Sequence, residues 1–300
     1  MNNNNLLSVA LIFSSALIAG ALIYSAGLKA VNAPTSLVNA PESQSNFVAE
    51  EIIPKNGVEL PVKWGNFGKQ LVESGAIDAN KFETLYNQRG GLNNEDKNLL
   101  YEENNGNLKI TSENSGYLLN LLWAFGLANK NEILEQGPMT DSQYSSANPP
   151  AGGFASTGGW TMSQSDTMNH YGKHQFINLT NEQQSLVKRV SKNIYRPCCG
   201  NSTYFPDCNH GMAMLGLLEL MASQGVSESD MYRVALIVNS YWFPDTYLTI
   251  AKYFQNRGID WKNVDPKEIL SSAYSSASGY QQVLSEVEPI QPQGGGGCGV

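Results

Sequence analysis

The sequence predicts a mainly α-helical protein: an N-terminal transmembrane helix, then one compact multi-helix domain with a long, ordered loop rich in Gly and Ser. Three observations predict this fold class. An apolar stretch near the N-terminus is long enough to cross a bilayer. Apolar residues farther along the chain recur at helical spacing between capping signals. One long segment combines turn-forming residues with large aromatic ones. Of the 300 residues, 41% are hydrophobic, which is enough for a packed core.

The N-terminal segment is the first predicted element. Residues 6–28 carry no charged side chain, and about 20 apolar residues suffice for a helix that spans a bilayer. We therefore predict a transmembrane anchor or signal segment over residues 1–30, with the membrane as a partner of the protein. A cleaved signal peptide is the alternative, because residues 31–33 resemble a small-residue cleavage site. Either interpretation favours a folded domain outside the cytoplasm, since long domains are translocated largely regardless of flanking charge.

Composition sets the expected limits of the folded domain. Residues 31–57 hold three prolines and few large apolar residues, so we predict a disordered linker there. The helical domain is expected over residues 58–288. Residues 289–300 contain a run of four glycines and Cys298, which predicts a flexible tail.

Capping and stop signals define the expected helices. Thr180 with Gln183 forms a capping-box pattern. Asn209 is a candidate N-cap for an apolar helix that follows it, and Pro244 breaks or restarts a helical run. The predicted helices cover residues 65–74, 79–88, 117–127, 181–194, 210–223, 231–241, 245–255 and 266–287.

Residues 137–175 interrupt this helical pattern. The segment is rich in Gly, Ser, Pro and Asn, and it also carries Trp160, His170 and His174. Linkers are poor in large aromatic residues, and a long irregular segment inside a compact domain is usually functional or disordered. We therefore interpret the segment as an ordered loop that covers a site.

A cluster of Cys and His residues is the candidate functional site. Three of the four cysteines, Cys198, Cys199 and Cys208, lie within eleven residues, and His210 follows them at the start of a predicted helix. Three thiols and an imidazole are a known ligand set for zinc, and the helix N-terminus favours a thiolate at Cys208. Because adjacent side chains diverge, we expect either Cys198 or Cys199 to be the ligand while the other packs elsewhere.

Copper is the second metal that the sequence favours, because soft sulfur ligands select Cu(I). Possible additional ligands are Met212, Met214, His170, His174 and Cys298. Other interpretations apply to most of these residues. A Met in an apolar helix usually fills the core, and the two histidines can form a hydrogen-bonded pair that stiffens the loop. The leading hypothesis is a protein that binds zinc or copper for stability, transfer or sensing.

Other functions stay open at this point. A structural disulfide can join Cys208 to Cys198 or Cys199, and a thiol-redox protein can use the same three residues. A Cys-dependent hydrolase of the cell envelope would use Cys198 or Cys199 as nucleophile and His170 or His210 as base. The net charge of −8 and the lack of a Lys/Arg cluster argue against a nucleic-acid partner. Protein partners and the question of enzymatic activity are not decided by the sequence.

Overall fold

Two antiparallel strands and a series of helices make up residues 49–289, the part of the chain that the computed structural model describes. Strand β1 (Val58–Gly65) pairs with β2 (Asn105–Ile110), with Val58 opposite Ile110 and Gly65 opposite Asn105. Buried and exposed side chains alternate along β1 as its pleat requires. The helix-based interpretation missed this sheet, because an alternation over one short strand is a weak signal beside several apolar helices.

The described residues confirm the mainly helical prediction. From residue 58 onward, the helices are α1 (Phe67–Glu73), α2 (Ala79–Asn87), α3 (Asn94–Tyr101), α4 (Ser115–Ala128), α5 (Glu132–Gln136), α6 (Ala155–Gly158), α7 (Asn181–Ser191), α8 (Asn209–Ser223), α9 (Glu228–Trp242), α10 (Pro244–Gln255), α11 (Pro266–Ile269), α12 (Ser272–Ser275) and α13 (Ala277–Glu286). Short 3-10 turns occupy Pro138–Thr140, Pro150–Gly153, Thr167–Asn169 and Trp261–Asn263.

Local capping signals were good guides to these helices. The capping box of Thr180 and Gln183 is present at the start of α7. The single helix expected over residues 266–287 is instead the three helices α11, α12 and α13. The break before α13 has a local cause, because the Ser276 hydroxyl accepts a hydrogen bond from Gly279 N at 3.0 Å and starts a new helix.

Helices α4 and α8 cross in the centre of the core with their backbones in contact. A Cβ atom added at Gly126 of α4 would lie 2.2 Å from Met212 O, and one added at Gly216 of α8 would lie 2.7 Å from Leu122 O. Both helices are buried along nearly their whole length. The glycine contact therefore fixes the position of α8, and with it the residues at the start of that helix.

The folded domain begins earlier than residue 58. Residues 49–52 are helical, Ile52 is buried, and the Tyr241 hydroxyl donates a hydrogen bond to Pro54 O at 2.7 Å. Residues 49–57 of the predicted linker therefore belong to the fold, because Ile52 supplies apolar surface to the core.

Several predictions fall on residues outside 49–289. These are the apolar segment 6–28, the linker residues 31–48, and residues 290–300 with Cys298. Among the helices of residues 49–289, none has the length and hydropathy needed to cross a bilayer.

The segment 137–175 contains three of the 3-10 turns and the short helix α6, and several of its aromatic residues pack in or against the core. Trp160 is buried against Trp123, and its indole N–H donates a hydrogen bond to Ala76 O at 2.9 Å. Within the segment, Ser156 N donates to Asp207 O at 3.0 Å. The loop is thereby joined to the segment that carries the cysteines.

Candidate metal centre

Cys208 is the N-cap of α8, in an extended conformation (φ −124°, ψ 168°). Asn209, the N-cap expected from the sequence, is instead the first residue of the helix, and its side-chain oxygen accepts a hydrogen bond from His210 N at 2.8 Å. The Cys208 sulfur therefore lies where unpaired helical N–H groups favour negative charge.

Three donor atoms converge at this helix start. Cys198 Sγ lies 3.7 Å from Cys208 Sγ, and these two sulfurs and a ring nitrogen of His210 all lie within 4.8 Å of one another. The His210 ring is buried against Trp242 and Phe243, with ring centroids 5.7 and 4.4 Å away. Two thiolates on one tetrahedral zinc, each about 2.3 Å from the ion, are about 3.8 Å apart. The two sulfurs already have the spacing that such an ion requires.

Cys199 belongs to a second group that shares only Cys208 with the first. Its sulfur donates weak hydrogen bonds to Asn201 O and Asp207 Oδ1, each at 3.9 Å. Cys199, Asp207 and Cys208 also present donor atoms within 4.8 Å of one another. The adjacent cysteines thus belong to different groups of donor atoms, and each lies within 4.8 Å of the Cys208 sulfur.

A buried arginine contacts the sulfur of Cys208. Arg196 is 1% exposed, and its Nε–H donates a hydrogen bond to Cys208 Sγ at 3.0 Å. The other guanidinium N–H groups donate to Asn201 O at 2.9 Å, to Phe205 O at 3.0 Å and to the Asp207 carboxylate. This guanidinium therefore ties the residues around the cysteines into one charged, hydrogen-bonded loop.

Gly211 leaves the space that the guanidinium occupies. A Cβ atom at Gly211 would lie 2.5 Å from Arg196 Cζ. Sequence reasoning missed Arg196, Asp207 and Gly211 as members of the site. The available signal was that the only charged residues close to the cysteines in sequence, Arg196 and Asp207, have opposite signs.

The pKa values of Cys208 and Cys199 are shifted in opposite directions by their surroundings. Hydrogen bonds from the thiols of Cys198 and Cys199, the charge of Arg196 and a hydrogen bond with His210 hold the pKa of Cys208 well below its usual range, although burial opposes this. For Cys199, the interaction with Cys198 acts to lower the pKa, but hydrogen bonding to the Cys208 sulfur and burial raise it to about 11. Of these two cysteines, Cys208 therefore loses its proton the more readily, and Cys199 holds its proton the more tightly.

Comparison of the chain with protein-family models, with curated proteins and with solved structures found no match. The interpretation of the site therefore rests on the chemistry and geometry of its own residues.

Four of the possible additional ligands, Met212, Met214, His170 and His174, lie among residues 49–289. Met212 and Met214 are buried members of the hydrophobic core. His170 and His174 form a pair of their own, with His170 Nδ1 and His174 Nε2 3.0 Å apart. Neither histidine belongs to the clusters of Cys, His and acidic donors found among residues 49–289.

Proposed function

We propose that the protein binds one transition-metal ion, zinc or copper(I), through Cys198, Cys208 and His210. The observation that carries this proposal is the convergence of the three donor atoms within 4.8 Å, with the two sulfurs 3.7 Å apart. Thiolate and imidazole ligands suit both metals. The low pKa of Cys208 supports binding near neutral pH, because a metal binds the thiolate and not the thiol.

The form of the ligand set favours transfer or sensing over a purely structural role. Structural zinc sites are closed by four protein ligands, whereas sites with three protein ligands keep a position open. Cys198, one of the three, is exposed. An incoming ligand or partner protein can therefore reach the ion from the side of Cys198 without unfolding the domain.

Elemental analysis of protein purified without a polyhistidine tag tests this proposal. After reconstitution under reducing conditions, the wild-type chain is expected to hold about one zinc or copper ion, with Zn²⁺ and Cu⁺ compared in parallel chelator competitions. Cys208→Ser removes the shared ligand and is expected to lower the affinity at least about 100-fold.

Cys199→Ser is the matched control, because it removes a neighbouring sulfur outside the proposed ligand set and leaves a hydroxyl that can still donate a hydrogen bond to Cys208. It is expected to retain the metal. The proposal fails if the reduced wild-type chain binds neither metal, or if Cys199→Ser loses as much affinity as Cys208→Ser.

A thiol-redox function is the second candidate, and the 3.7 Å between Cys198 Sγ and Cys208 Sγ favours it. A disulfide S–S bond of about 2.05 Å needs only a small movement of two side chains. Two-electron oxidation by a disulfide oxidant would join the two sulfurs, and the two thiol protons would pass to the oxidant, which is reduced to two thiols. Thiol titration separates the two functions. A bound metal protects both thiols from alkylation until it is removed, whereas in a redox pair both thiols disappear on oxidation and return on reduction.

We further propose that residues 6–28 attach the protein to a membrane, with the folded domain outside the cytoplasm. The support is the uncharged, apolar composition of that stretch. The full chain is expected to stay in the membrane pellet after carbonate extraction, and a chain lacking residues 1–30 is expected in the supernatant. Release of the full, uncleaved chain by carbonate would contradict this proposal, and the mass of the mature N-terminus distinguishes cleavage from anchoring.

A further inference from the structure

A serine and two histidines form a hydrogen-bonded row in the segment 137–175. None of the three residues belongs to the cysteine groups. Ser165 Oγ lies 3.0 Å from His170 Nε2, and His170 Nδ1 lies 3.0 Å from His174 Nε2. His170 therefore uses one ring nitrogen toward a hydroxyl and the other toward a hydrogen-bonding partner. This is the arrangement of a nucleophile, a general base and a group that orients the base.

Burial increases along this row from the hydroxyl to the central ring. Ser165 is exposed, whereas His170 is 7% exposed. A nucleophile must be reachable by substrate, and its base must be fixed in position with one tautomer selected by its partners. The exposure of the two residues fits these roles.

The protein fixes each member of the row. Between Ser165 and His170 lies the 3-10 turn Thr167–Asn169, which the Asp166 carboxylate caps by accepting a hydrogen bond from Met168 N at 2.8 Å. The backbone of His174 is held to α4, since its N–H donates to Ala128 O at 2.9 Å and its carbonyl accepts from Lys130 N at 2.7 Å. The His174 ring also stacks on Phe176, with centroids 5.3 Å apart.

Ser165 lines a cleft of about 470 Å³. The cleft is also lined by Trp160, Thr161 and Met168, and Asp166 is the one ionisable residue of its lining. Apolar and hydroxyl side chains predominate there. A cleft of this size and character suits a small uncharged ligand and disfavours an anionic one.

We propose that Ser165, His170 and His174 form a second functional site that hydrolyses small, uncharged acyl esters. Ser165 is the nucleophile, His170 the general base, and His174 a positioning residue that accepts the Nδ1–H hydrogen bond of His170. This proposal extends beyond metal binding and uses none of the residues of the cysteine groups.

The reaction balances with water as the only co-reactant. Ser165 Oγ bonds to the ester carbonyl carbon while its proton moves to His170 Nε2. The bond from that carbon to the alcohol oxygen then breaks, and the leaving alcohol takes the proton from His170. Water attacks the resulting acyl-serine, giving its proton to His170, and the carboxylic acid leaves as Ser165 regains a proton.

The protonation state of the histidines agrees with these roles. Burial, aided by the neighbouring His174, lowers the pKa of His170, and burial also lowers the pKa of His174. Both rings are therefore neutral at neutral pH. A neutral His170 with its proton on Nδ1 leaves Nε2 able to accept the serine proton.

A fluorophosphonate probe tests the site directly, because attack by a serine oxygen forms a P–O bond and expels fluoride. The probe is applied to the full chain carrying Cys198→Ser and Cys208→Ser, which removes both sulfur ligands of the proposed metal site. Labelling is expected on Ser165, as located by peptide mass spectrometry. It is expected to be lost in Ser165→Ala and to slow at least about 100-fold in His170→Ala.

The role of His174 is tested by comparing the labelling rates of two variants, one without and one with a hydrogen-bond acceptor at this position. His174→Phe keeps an aromatic ring beside Phe176 but loses the acceptor, and is expected to slow labelling at least about 10-fold. His174→Gln is expected to restore most of the rate, because its amide oxygen can accept the same hydrogen bond. In chains that retain His170 and His174, the rate is expected to fall at acidic pH as His170 becomes protonated.

Ser142→Ala, which removes an exposed hydroxyl of the same loop outside the lining of the cleft, is the control and is expected to label at the rate of its parent chain. Three results would overturn the proposal: no labelling of the folded Cys198→Ser/Cys208→Ser chain, undiminished labelling in Ser165→Ala, or equal rates for His174→Phe and His174→Gln. Circular dichroism establishes that each variant is folded. Since Cys198 and Cys208 are replaced in every chain tested, failure of the metal proposal leaves this result unaffected.

Discussion

Replacing Arg196 by Met is expected to lower the free energy of unfolding by about 3–5 kcal/mol. The side chain is buried, and its removal leaves the Asp207 carboxylate and the carbonyl groups of Asn201 and Phe205 without their charged donor. Breaking one partner of a buried ion pair is costly because the other charge stays desolvated. Urea denaturation of the reduced protein measures the change.

Arg189→Met is the matched control for this substitution. Arg189 also forms an ion pair, with Glu228 at 2.9 Å, but its side chain is 55% exposed. Solvent screens such a pair, so the expected loss is at most about 1 kcal/mol. Equal effects for the two variants would show that the buried guanidinium does not organise the cysteine loop.

Gly126→Ala is expected to destabilise the fold by about 3 kcal/mol, near the upper end of the effects of overpacking a core. The added methyl group would lie 2.2 Å from Met212 O, so α4 and α8 must move apart or distort. Because Cys208 caps α8, the same variant is expected to weaken metal binding. Thermal or urea unfolding, with chelator competition on the folded fraction, measures both effects.

Gly116→Ala separates the steric effect from helix propensity. Gly116 lies in the same helix, but an added Cβ there meets no atom within 4 Å. Alanine favours a helix over glycine by up to about 1 kcal/mol, so this variant should be unchanged or more stable. A Gly126→Ala protein as stable as Gly116→Ala would contradict backbone contact between α4 and α8.

The features predicted from the sequence are those whose causes are local. The capping box of Thr180 depends on atoms within four residues, and the sequence shows it directly. The breaks at Ser271 and Ser276 depend on which of several serines becomes a cap, and helical periodicity does not decide this. The pairing of β1 with β2 joins residues far apart in the chain, so its main cause is tertiary packing.

In the candidate site, too, the features with local causes could be predicted and those that depend on tertiary structure could not. Cys198, Cys208 and His210 are close in sequence, so their proximity in space could be predicted. The choice between Cys198 and Cys199 could not, because it depends on the path of the backbone through Gly200 and Pro206. Ser165 gave no signal of its own, since one hydroxyl in a segment rich in serine is distinguished only by its hydrogen bond to His170.

The guanidinium of Arg196 also affects how the domain is expected to behave without the proposed metal ion. In small zinc domains the ion itself organises the ligands, and chelation unfolds the chain. Here a fixed positive charge bonded to Asn201, Phe205, Asp207 and Cys208 organises the ligand loop from within. The entropy cost of ordering the loop is therefore incurred mostly during folding and not on metal binding. Removal of the metal by a chelator should leave an intact, preorganised apoprotein. Under the proposed metal-binding function, the domain could release its ion and accept another without refolding.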